Sequence, residues 1–481
     1  MSKLEKQSRF ERDDDVVVMK FGGTSVEDSA AIFRLITIVR SRLGHRPVIV
    51  VSALARVTDQ LLEAGRAAAA GRLGSALETV RGIYVRHEQL ADSLIEDSTY
   101  GVLDRDLRND FRALEELLQH LHASRQLDPA SQDRLLSFGE RFAGKLVNAA
   151  LQGANVPSRH VDARDCIVTD ASHGQANPDW EVTNQRLRET LSPVLQARII
   201  PVLGGFIAST VDDVPTTLGR GGSDLTATIV GAALGAIRVE IWTDVDGVMT
   251  ADPKLCPDAR LIRKMSFSDA DELARNGAKV LHPATLGPAM RENIPVHVLN
   301  SRRMECEGTE IVSRASGRTG VCGIAVKQNV AAVEIEFAQE IEPAQLGEIY
   351  SSFHRRLCRI DVMAASQRHM SIVASAPEAL PEISADLSPV ASLRWENHKA
   401  LVCLVGEEVG RKPELINQIV DAMAEVKMRV VGQGTSDRSI SLLVEESAVE
   451  EAVQRLHGAF FSKIAAVADW GSASAAFCQA G

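Results

Sequence analysis

The chain has 481 residues, of which 45% are hydrophobic and 24% charged, and its formal net charge is −11. At about 150 residues per domain, this length indicates roughly three globular domains. The acidic balance argues against nucleic acid or an anionic membrane surface as a partner.

The beginning of the chain and its cysteines narrow the class of protein further. No apolar run approaches the ~20 residues that span a bilayer. Residues 1–15 are charged and lack the apolar core of a signal peptide, so we expect a disordered arm there and a cytoplasmic protein. The cysteines are scattered and never form a C-x-x-C pair, which argues against a disulfide framework or a zinc site.

Strand and helix patterns alternate over the first 300 residues or so. Residues 16–21 form a continuous apolar run that ends at a Gly-Gly pair, which predicts a buried parallel strand. Further strands are predicted over 47–52, 199–206, 239–243 and 296–300. Helices are predicted over 30–43, within 61–127, and over 137–153, 223–234 and 268–277. This alternation predicts an α/β domain with a mostly parallel sheet, over residues 16–312.

A different pattern follows this α/β region. Strand and helix patterns occur in the order βαββαβ, and the same order recurs about 70 residues later, as in a tandem repeat. The strands of the two copies are predicted over 330–337, 360–366, 370–375, 390–396, 400–405, 429–434 and 439–444. We therefore predict two ferredoxin-like modules, over residues 321–396 and 397–475.

The first motif with possible chemistry lies where the first strand ends. Lys20 precedes Gly22, Gly23 and Thr24 at a strand-to-helix turn. Glycines there let the backbone approach a polyphosphate and direct N–H groups at it, and the lysine adds a full positive charge. The alternative is a turn that uses glycine only for its geometry.

A second glycine-rich stretch opens an apolar helix. Arg220, Ser223 and Asp224 stand among three glycines there. Backbone donors and an arginine together form an anion cradle. In the structural alternative, Ser223 or Asp224 is simply the helix N-cap.

Two weaker candidates lie further along the chain. Thr243 and Asp244 end a predicted strand, and the carboxyl ends of strands are where open α/β sheets bind ligands. Lys279 follows a predicted helix and could reach a nucleotide. The alternatives are an acidic β-turn and an ordinary solvated lysine.

Taken in order, the motifs of this chain resemble those of the aspartate kinase family, over nearly its whole length. They are KFGGTSV (20–26), VVSAL (50–54), SFGERF (137–142), TTLGRGGSD (216–224), WTDVDGV (242–248), TADP (250–253) and GAKVLHPAT (277–285). The tandem βαββαβ modules resemble the ACT pair of that family.

The resemblance implies an amino-acid kinase fold followed by two ACT domains. The implied reaction is the phosphorylation of the β-carboxylate of L-aspartate by Mg·ATP to give 4-phospho-L-aspartate. This is the first step of lysine, threonine and methionine biosynthesis. The ACT domains imply allosteric regulation by an amino acid, and a homodimer or larger homo-oligomer formed through them.

Residue roles follow from the same resemblance. Lys20 and Asp224 would be catalytic, with Asp224 orienting Lys20. Glu140 would bind the substrate ammonium and Arg220 its α-carboxylate. Ser52, Thr58 and Ser223 would complete the aspartate site. The nucleotide would contact Lys20, Gly22, Gly23, Thr24, Thr243, Asp244, Lys254 and Lys279.

No side chains are predicted as metal ligands, because Mg²⁺ is usually held chiefly by the phosphates. Asp361 and Ser366 fit a lysine-type effector pocket, although Arg359 and Ala365 replace smaller or hydroxyl-bearing residues nearby.

Two other functions remain open at this point. One is a different amino-acid kinase, acting on acetylglutamate or glutamate. Glu140 argues against an acylated substrate, which has no ammonium group to pair with it. The other is a non-catalytic amino-acid sensor, against which Lys20, Arg220, Asp224 and Lys279 speak.

Overall fold

A computed structural model describes residues 15–95, 97–278, 280–315, 320–433 and 437–462. These residues form two compact units. The first comprises residues up to 248, 261–275 and 280–315, and the second comprises 249–260, 276–278 and the chain from 320 onward. Apart from Asp15, the predicted arm lies outside the described residues.

The first unit has the alternating order that the sequence predicts. Its strands are β1 (Val16–Phe21), β2 (Arg46–Val51), β3 (Ser158–Val161), β4 (Ile200–Gly204), β5 (Ile207–Ser209), β6 (Pro215–Thr217), β7 (Arg238–Thr243), β8 (Lys264–Ser266), β9 (Val296–Asn300) and β10 (Thr309–Val312). Its helices are α1 (Ser29–Arg40), α2 (Val57–Ala69), α3 (Leu73–Leu94), α4 (Asp97–Ser124), α5 (Pro129–Gly153), α6 (Trp180–Gln196), α7 (Gly222–Leu234), α8 (Phe267–Arg275) and α9 (Gly287–Arg291).

The central sheet places the ends of its strands at one edge. The strand order is β3-β4-β2-β1-β7-β9-β10-β8, and the strands from β3 to β9 pair in parallel. The apolar run of β1 is buried from Val17 to Phe21 because both faces of a parallel sheet are covered. The carboxyl ends of β1, β2, β4 and β7 therefore lie side by side, which is where open α/β sheets bind ligands.

The sequence patterns missed several elements of this unit. Helix α6 begins at Asp179, whose side chain accepts from the Val182 N–H, and it contains Pro193. Its polar composition and internal proline weaken the helical pattern. Strand β3 is short and lies at the edge of the sheet, where alternation is hard to recognise. Strand β10 extends the sheet over Thr309–Val312.

The second unit is built on one antiparallel sheet. Its strands are β11 (Gly320–Phe337), β12 (Ile360–Ala365), β13 (His369–Ser375), β14 (Ala391–Glu407), β15 (Met428–Gln433) and β16 (Ser439–Glu445). Its helices are α10 (Pro343–Arg355), α11 (Leu380–Leu387), α12 (Pro413–Ala422) and α13 (Val449–Phe461). The predicted α/β fold with ferredoxin-like βαββαβ modules is confirmed, with one difference in how the modules are connected.

The difference is that two long strands run through both modules. The strands predicted over 390–396 and 400–405 are one strand, β14, and its second half pairs with the first half of β11. Asn329 and His398 adopt positive φ angles of 56° and 58° where the two strands change register. These local irregularities change the direction of each strand, so that β11 and β14 each contribute residues to two hydrophobic cores.

The segment after β7 belongs to the second unit. Within it, the Thr250 hydroxyl lies 2.9 Å from Nε2 of His457 on α13, and the Thr250 carbonyl accepts from the Ile324 N–H at 2.7 Å. Ala251 and Cys256 are buried in the same core as α12 and α13. Residues 249–260 are therefore held by strand β11 and helix α13.

None of the helices in the described part of the chain is long and apolar enough to cross a membrane.

The aromatic cluster that fixes α5 gives a prediction about stability. Phe142 is fully buried, and its ring stacks on Phe111 with centroids 4.1 Å apart. Replacing Phe142 by alanine leaves a cavity, so we expect a loss of about 3–5 kcal/mol in the free energy of unfolding. The control Phe33→Ala removes a ring that is 54% exposed and should change it by less than about 0.5 kcal/mol. Urea unfolding followed by circular dichroism measures both, and equal losses would contradict this packing.

Candidate active site

A cavity of about 410 Å³ opens at the carboxyl edge of the central sheet. Its lining comes from the turns after β1, β2 and β4, from α5 and from the turn before α7. It is lined by Lys20, Gly23, Ser52, Ala53, Leu54, Ala55, Arg56, Thr58, Asp59, Glu140, Phe206, Gly219, Arg220, Gly221, Gly222, Ser223 and Asp224. This volume suits a small metabolite.

An ion pair joins β1 to α7 at the floor of this cavity. Nζ of Lys20 lies 2.6 Å from Oδ1 of Asp224, and both side chains are nearly buried. Asp224 stands in the first turn of α7, which begins after Gly221 in a left-handed conformation with φ of 76°. A short charge-assisted contact in a nearly dry position fixes the lysine ammonium in one place.

The glycine turn after β1 brings two loops close together. A Cβ on Gly23 would lie 2.8 Å from the Ala53 carbonyl oxygen, so only glycine allows this approach. The Gly22 N–H donates to the Trp242 carbonyl at 3.0 Å, which fixes the turn against β7. That amide is therefore already engaged, and Gly23 and Thr24 carry the remaining N–H groups of the predicted phosphate turn.

Glu140 is a buried carboxyl group in the middle of α5. Its residue is 4% exposed, and burial raises its pKa from 4.5 to about 8, against hydrogen bonds from backbone groups and the charge of Lys20. A Cβ on Gly204 would lie 3.0 Å from Cβ of Glu140, so the end of β4 closes directly over it. Oε2 of Glu140 has no hydrogen-bond partner among the described residues. A cationic group entering the cavity would satisfy it.

A second buried carboxylate, that of Asp133, supports the turn before α7. Asp133 is fully buried and accepts from Nδ1 of His173 at 2.9 Å, from the Gly174 N–H and from the Thr217 hydroxyl at 2.5 Å. Thr217 ends β6, and the chain then runs into Gly219 and Arg220. The Arg220 guanidinium is exposed and has no ion-pair partner within the described residues, so it can accept an anion.

The structure brings all seven of the predicted aspartate-binding and catalytic residues into this one cavity. Ser52, Thr58 and Ser223 line it together with Lys20, Glu140, Arg220 and Asp224. Thr243 is the last residue of β7, the neighbour of β1, and Asp244 follows it; neither lines the cavity. Lys254 is exposed in the part of the chain that belongs to the second unit, and Lys279 lies outside the described residues.

Several lining residues escaped the sequence patterns. Arg56, Asp59 and Phe206 belong to the cavity, and Arg56 and Phe206 have positive φ angles of 73° and 66°. A left-handed backbone at a non-glycine residue cannot be predicted from the residue type. Asp133 does not line the cavity, but its supporting position could have been predicted, because it precedes Glu140 by seven residues and two helical turns place both on one face of α5.

The predicted effector residues lie in the first βαββαβ module. Asp361 is nearly buried, and its Oδ1 lies 2.6 Å from Nζ of Lys327 and 2.9 Å from Nε of Arg359. Its other oxygen accepts from the Ser375 hydroxyl. Ser366 lies in the turn between β12 and β13, where its N–H donates to the His369 carbonyl. The Asp361 carboxylate is thus already neutralised by two cations of its own chain.

Comparison with known proteins agrees with this architecture. The amino acid kinase family model matches residues 15–300, and an ACT domain model matches residues 402–460. Aspartokinase 3, chloroplastic, of Arabidopsis thaliana is 31% identical over 471 residues, which cover 92% of this chain and 81% of that protein.

Two solved structures of E. coli aspartokinase III are similar along the chain. The complex with aspartate and ADP (R-state) gives a TM-score of 0.82 at 29% identity, covering 93% of this chain and all of that one. The complex with lysine and aspartate (T-state) gives 0.80 at 30% identity, covering 93% and 99%. The chain therefore belongs to the amino acid kinase family, and within it to the aspartokinases that carry a C-terminal ACT region.

Proposed function

We propose that this chain phosphorylates the β-carboxylate of L-aspartate with Mg·ATP, giving 4-phospho-L-aspartate and ADP. The observation that carries the proposal is the buried Glu140 carboxyl group, whose Oε2 has no hydrogen-bond partner among the described residues, in a cavity that also presents Lys20 and Arg220. An amino acid with a free ammonium group and a second carboxylate matches this set of charges. The E. coli relative binds aspartate and ADP, which supports the same substrates here.

The chemistry needs positioning and charge neutralisation. A side-chain carboxylate has a pKa of about 4 and is already ionised at neutral pH, so no general base is required. A carboxylate oxygen attacks the γ-phosphorus, the bond from phosphorus to the β–γ bridging oxygen breaks, and ADP leaves with the electron pair. Lys20, which is paired with Asp224, would neutralise the transferred group.

The turn after β1 fits the phosphates of a nucleotide. Gly22 and Gly23 have no side chains that would block a phosphate. The Lys20 ammonium is close to this turn, 3.6 Å from the position that a Cβ on Gly22 would occupy. No cluster of three acidic, histidine or cysteine side chains that could hold a metal occurs in the described ranges. As is usual for this ion, Mg²⁺ would be carried chiefly by the phosphates, where it supplies further charge neutralisation. We propose that Thr24, Thr243, Asp244, Lys254 and Lys279 complete the nucleotide contacts.

The proposed aspartate contacts separate this function from its alternatives. Glu140 would bind the substrate ammonium and Arg220 its α-carboxylate, while Ser52, Thr58 and Ser223 line the space between them. Acetylglutamate carries an amide in place of the ammonium and would leave Glu140 buried without a partner. A sensor without catalysis would gain nothing from the Lys20–Asp224 pair next to the glycine turn.

We further propose that residues 16–312 form the catalytic domain and that 321–396 and 397–475 form the ACT modules, the second of which also takes the first half of β11. Residues 434–436 and 463–475 lie outside the described chain. An amino-acid effector at Asp361 and Ser366 would have to displace the cations of Lys327 or Arg359. Homodimerisation through the ACT modules and a cytoplasmic location stay predictions.

The direct test of the proposed function is turnover with Mg·ATP and L-aspartate, in which hydroxylamine traps the acyl phosphate as a hydroxamate. We expect wild type to form the hydroxamate and Lys20→Ala to lose at least about 100-fold in kcat, because the charge that neutralises the phosphoryl group is gone. The control Lys264→Ala removes a lysine that is half exposed and paired with Glu310, and it should keep full activity.

The substrates used in that assay decide between the alternatives. Hydroxamate formed from glutamate or acetylglutamate, and not from aspartate, would keep the fold and overturn the substrate. Product from none of the three would favour the sensor. Equal turnover by wild type and Lys20→Ala would overturn the role of Lys20.

The raised pKa of Glu140 predicts a pH dependence of substrate capture. Below pH 8 the empty site holds this carboxyl group mainly protonated, and a neutral acid cannot pair with an ammonium. We therefore expect kcat/KM for aspartate to rise about tenfold per pH unit as the pH approaches 8 from below, and to level off above it.

Glu140→Gln should lower kcat/KM and flatten this rise, while Glu63→Gln, on the exposed face of α2, should leave the profile unchanged. Steady-state kinetics between pH 6 and 9 measure all three proteins. An unchanged rise in Glu140→Gln would assign it to another group.

A further inference from the structure

We propose that Arg56 is a catalytic cation of the phosphoryl-transfer centre, contacting the β-carboxylate and the phosphoryl group as they meet. This inference rests on the proposed function and adds a residue to it. Arg56 lies in the turn between β2 and α2 and lines the same cavity as Lys20 and Glu140.

The charges of the cavity leave one task unassigned. Among the described residues, its lining contains three cations, Lys20, Arg56 and Arg220. Lys20 shares its charge with Asp224 at 2.6 Å, and Arg220 is assigned to the α-carboxylate of the substrate. The β-carboxylate and the phosphoryl group are both anions and must come into contact. Arg56 is the third cation of the described lining and has no role in the proposed function so far.

Arg56 is available for that task. Its side chain is exposed to the cavity, and no carboxylate of the described residues forms an ion pair with it. Asp59, one helical turn further on, also lines the cavity but makes no ion pair with it. A guanidinium presents several N–H groups in a fixed plane and can contact carboxylate and phosphoryl oxygens together.

The position of Arg56 favours the phosphoryl end of the cavity. The N–H of the preceding residue, Ala55, donates to the Gly23 carbonyl at 3.2 Å, so the β2–α2 turn lies directly against the glycine turn proposed for the phosphates. Arg220 reaches the cavity from the separate turn before α7. Arg56 is thus next to the nucleotide side of the site.

The backbone at Arg56 is held in a conformation that arginine rarely adopts. Its φ is 73°, in the left-handed region that favours glycine. The surrounding contacts impose it: Nη1 of Arg86 donates to the Ala55 carbonyl at 2.7 Å, and the Val57 N–H donates to the Leu54 carbonyl at 3.0 Å. Glycine would relieve the backbone at this position.

Because of the left-handed backbone at Arg56, replacing this residue by glycine should not destabilise the fold. Arg56→Gly removes the guanidinium and also relieves the left-handed backbone, so its melting temperature should equal or exceed that of wild type. We expect kcat for aspartate to fall about 10- to 100-fold, the range for losing a hydrogen-bonded charge, with KM for aspartate changed less than about threefold. Arg56→Lys should recover part of kcat, and added guanidinium ion should partly rescue Arg56→Gly.

The matched control is Arg125→Gly. Arg125 is exposed, has a φ of 58° and does not line the cavity, so its replacement should leave kcat unchanged. Wild-type kcat in Arg56→Gly, a change in KM alone, or a lowered melting temperature with no guanidinium rescue would each overturn the assignment of Arg56 and leave the proposed function standing. Wild type and Arg125→Gly that both fail to phosphorylate aspartate would overturn both.

Discussion

Burying a carboxyl group away from water costs free energy unless a cation meets it, and Glu140 is buried in α5 with one oxygen unpaired. Other parts of the site contact this carboxyl group directly. The end of β4 closes over the group at Gly204, and the turn after β2 donates to it through the Ala53 backbone. In our proposal, a substrate ammonium removes this penalty on binding, which would favour an amino acid with a free amino group.

The phosphoryl-transfer side of the site differs, because the Lys20 ammonium is already paired with a carboxylate of the protein. Asp224 holds Lys20 across β1 and α7, and Arg86 from α3 holds the backbone of the turn that carries Arg56. Preorganised charge of this kind costs no rearrangement when the phosphoryl group meets the carboxylate.

Local pattern predicted those parts of the fold that depend on local chemistry. The apolar run of β1 and the glycines that follow it are visible in the sequence, so the position of Lys20 at a ligand-binding edge could be predicted. Glu140 lies within α5 and Arg220 in the turn before α7, so only the family resemblance placed them beside Lys20. Pairing over long separations was not predictable: β14 continues through both modules because its halves find different partners on β11. The left-handed backbone of Arg56 was not predictable either, because arginine has no preference for that conformation.

Calorimetric titration of L-aspartate into the wild-type protein at pH 7, in buffers of different ionisation enthalpy, tests the role of Glu140 most directly. If Glu140 is protonated in the empty site and pairs with the substrate ammonium, its pKa of about 8 requires release of most of one proton per aspartate bound. Glu140→Gln should bind more weakly and release none. Tight binding without proton release in wild type, or equal release by both proteins, would contradict this account of substrate recognition.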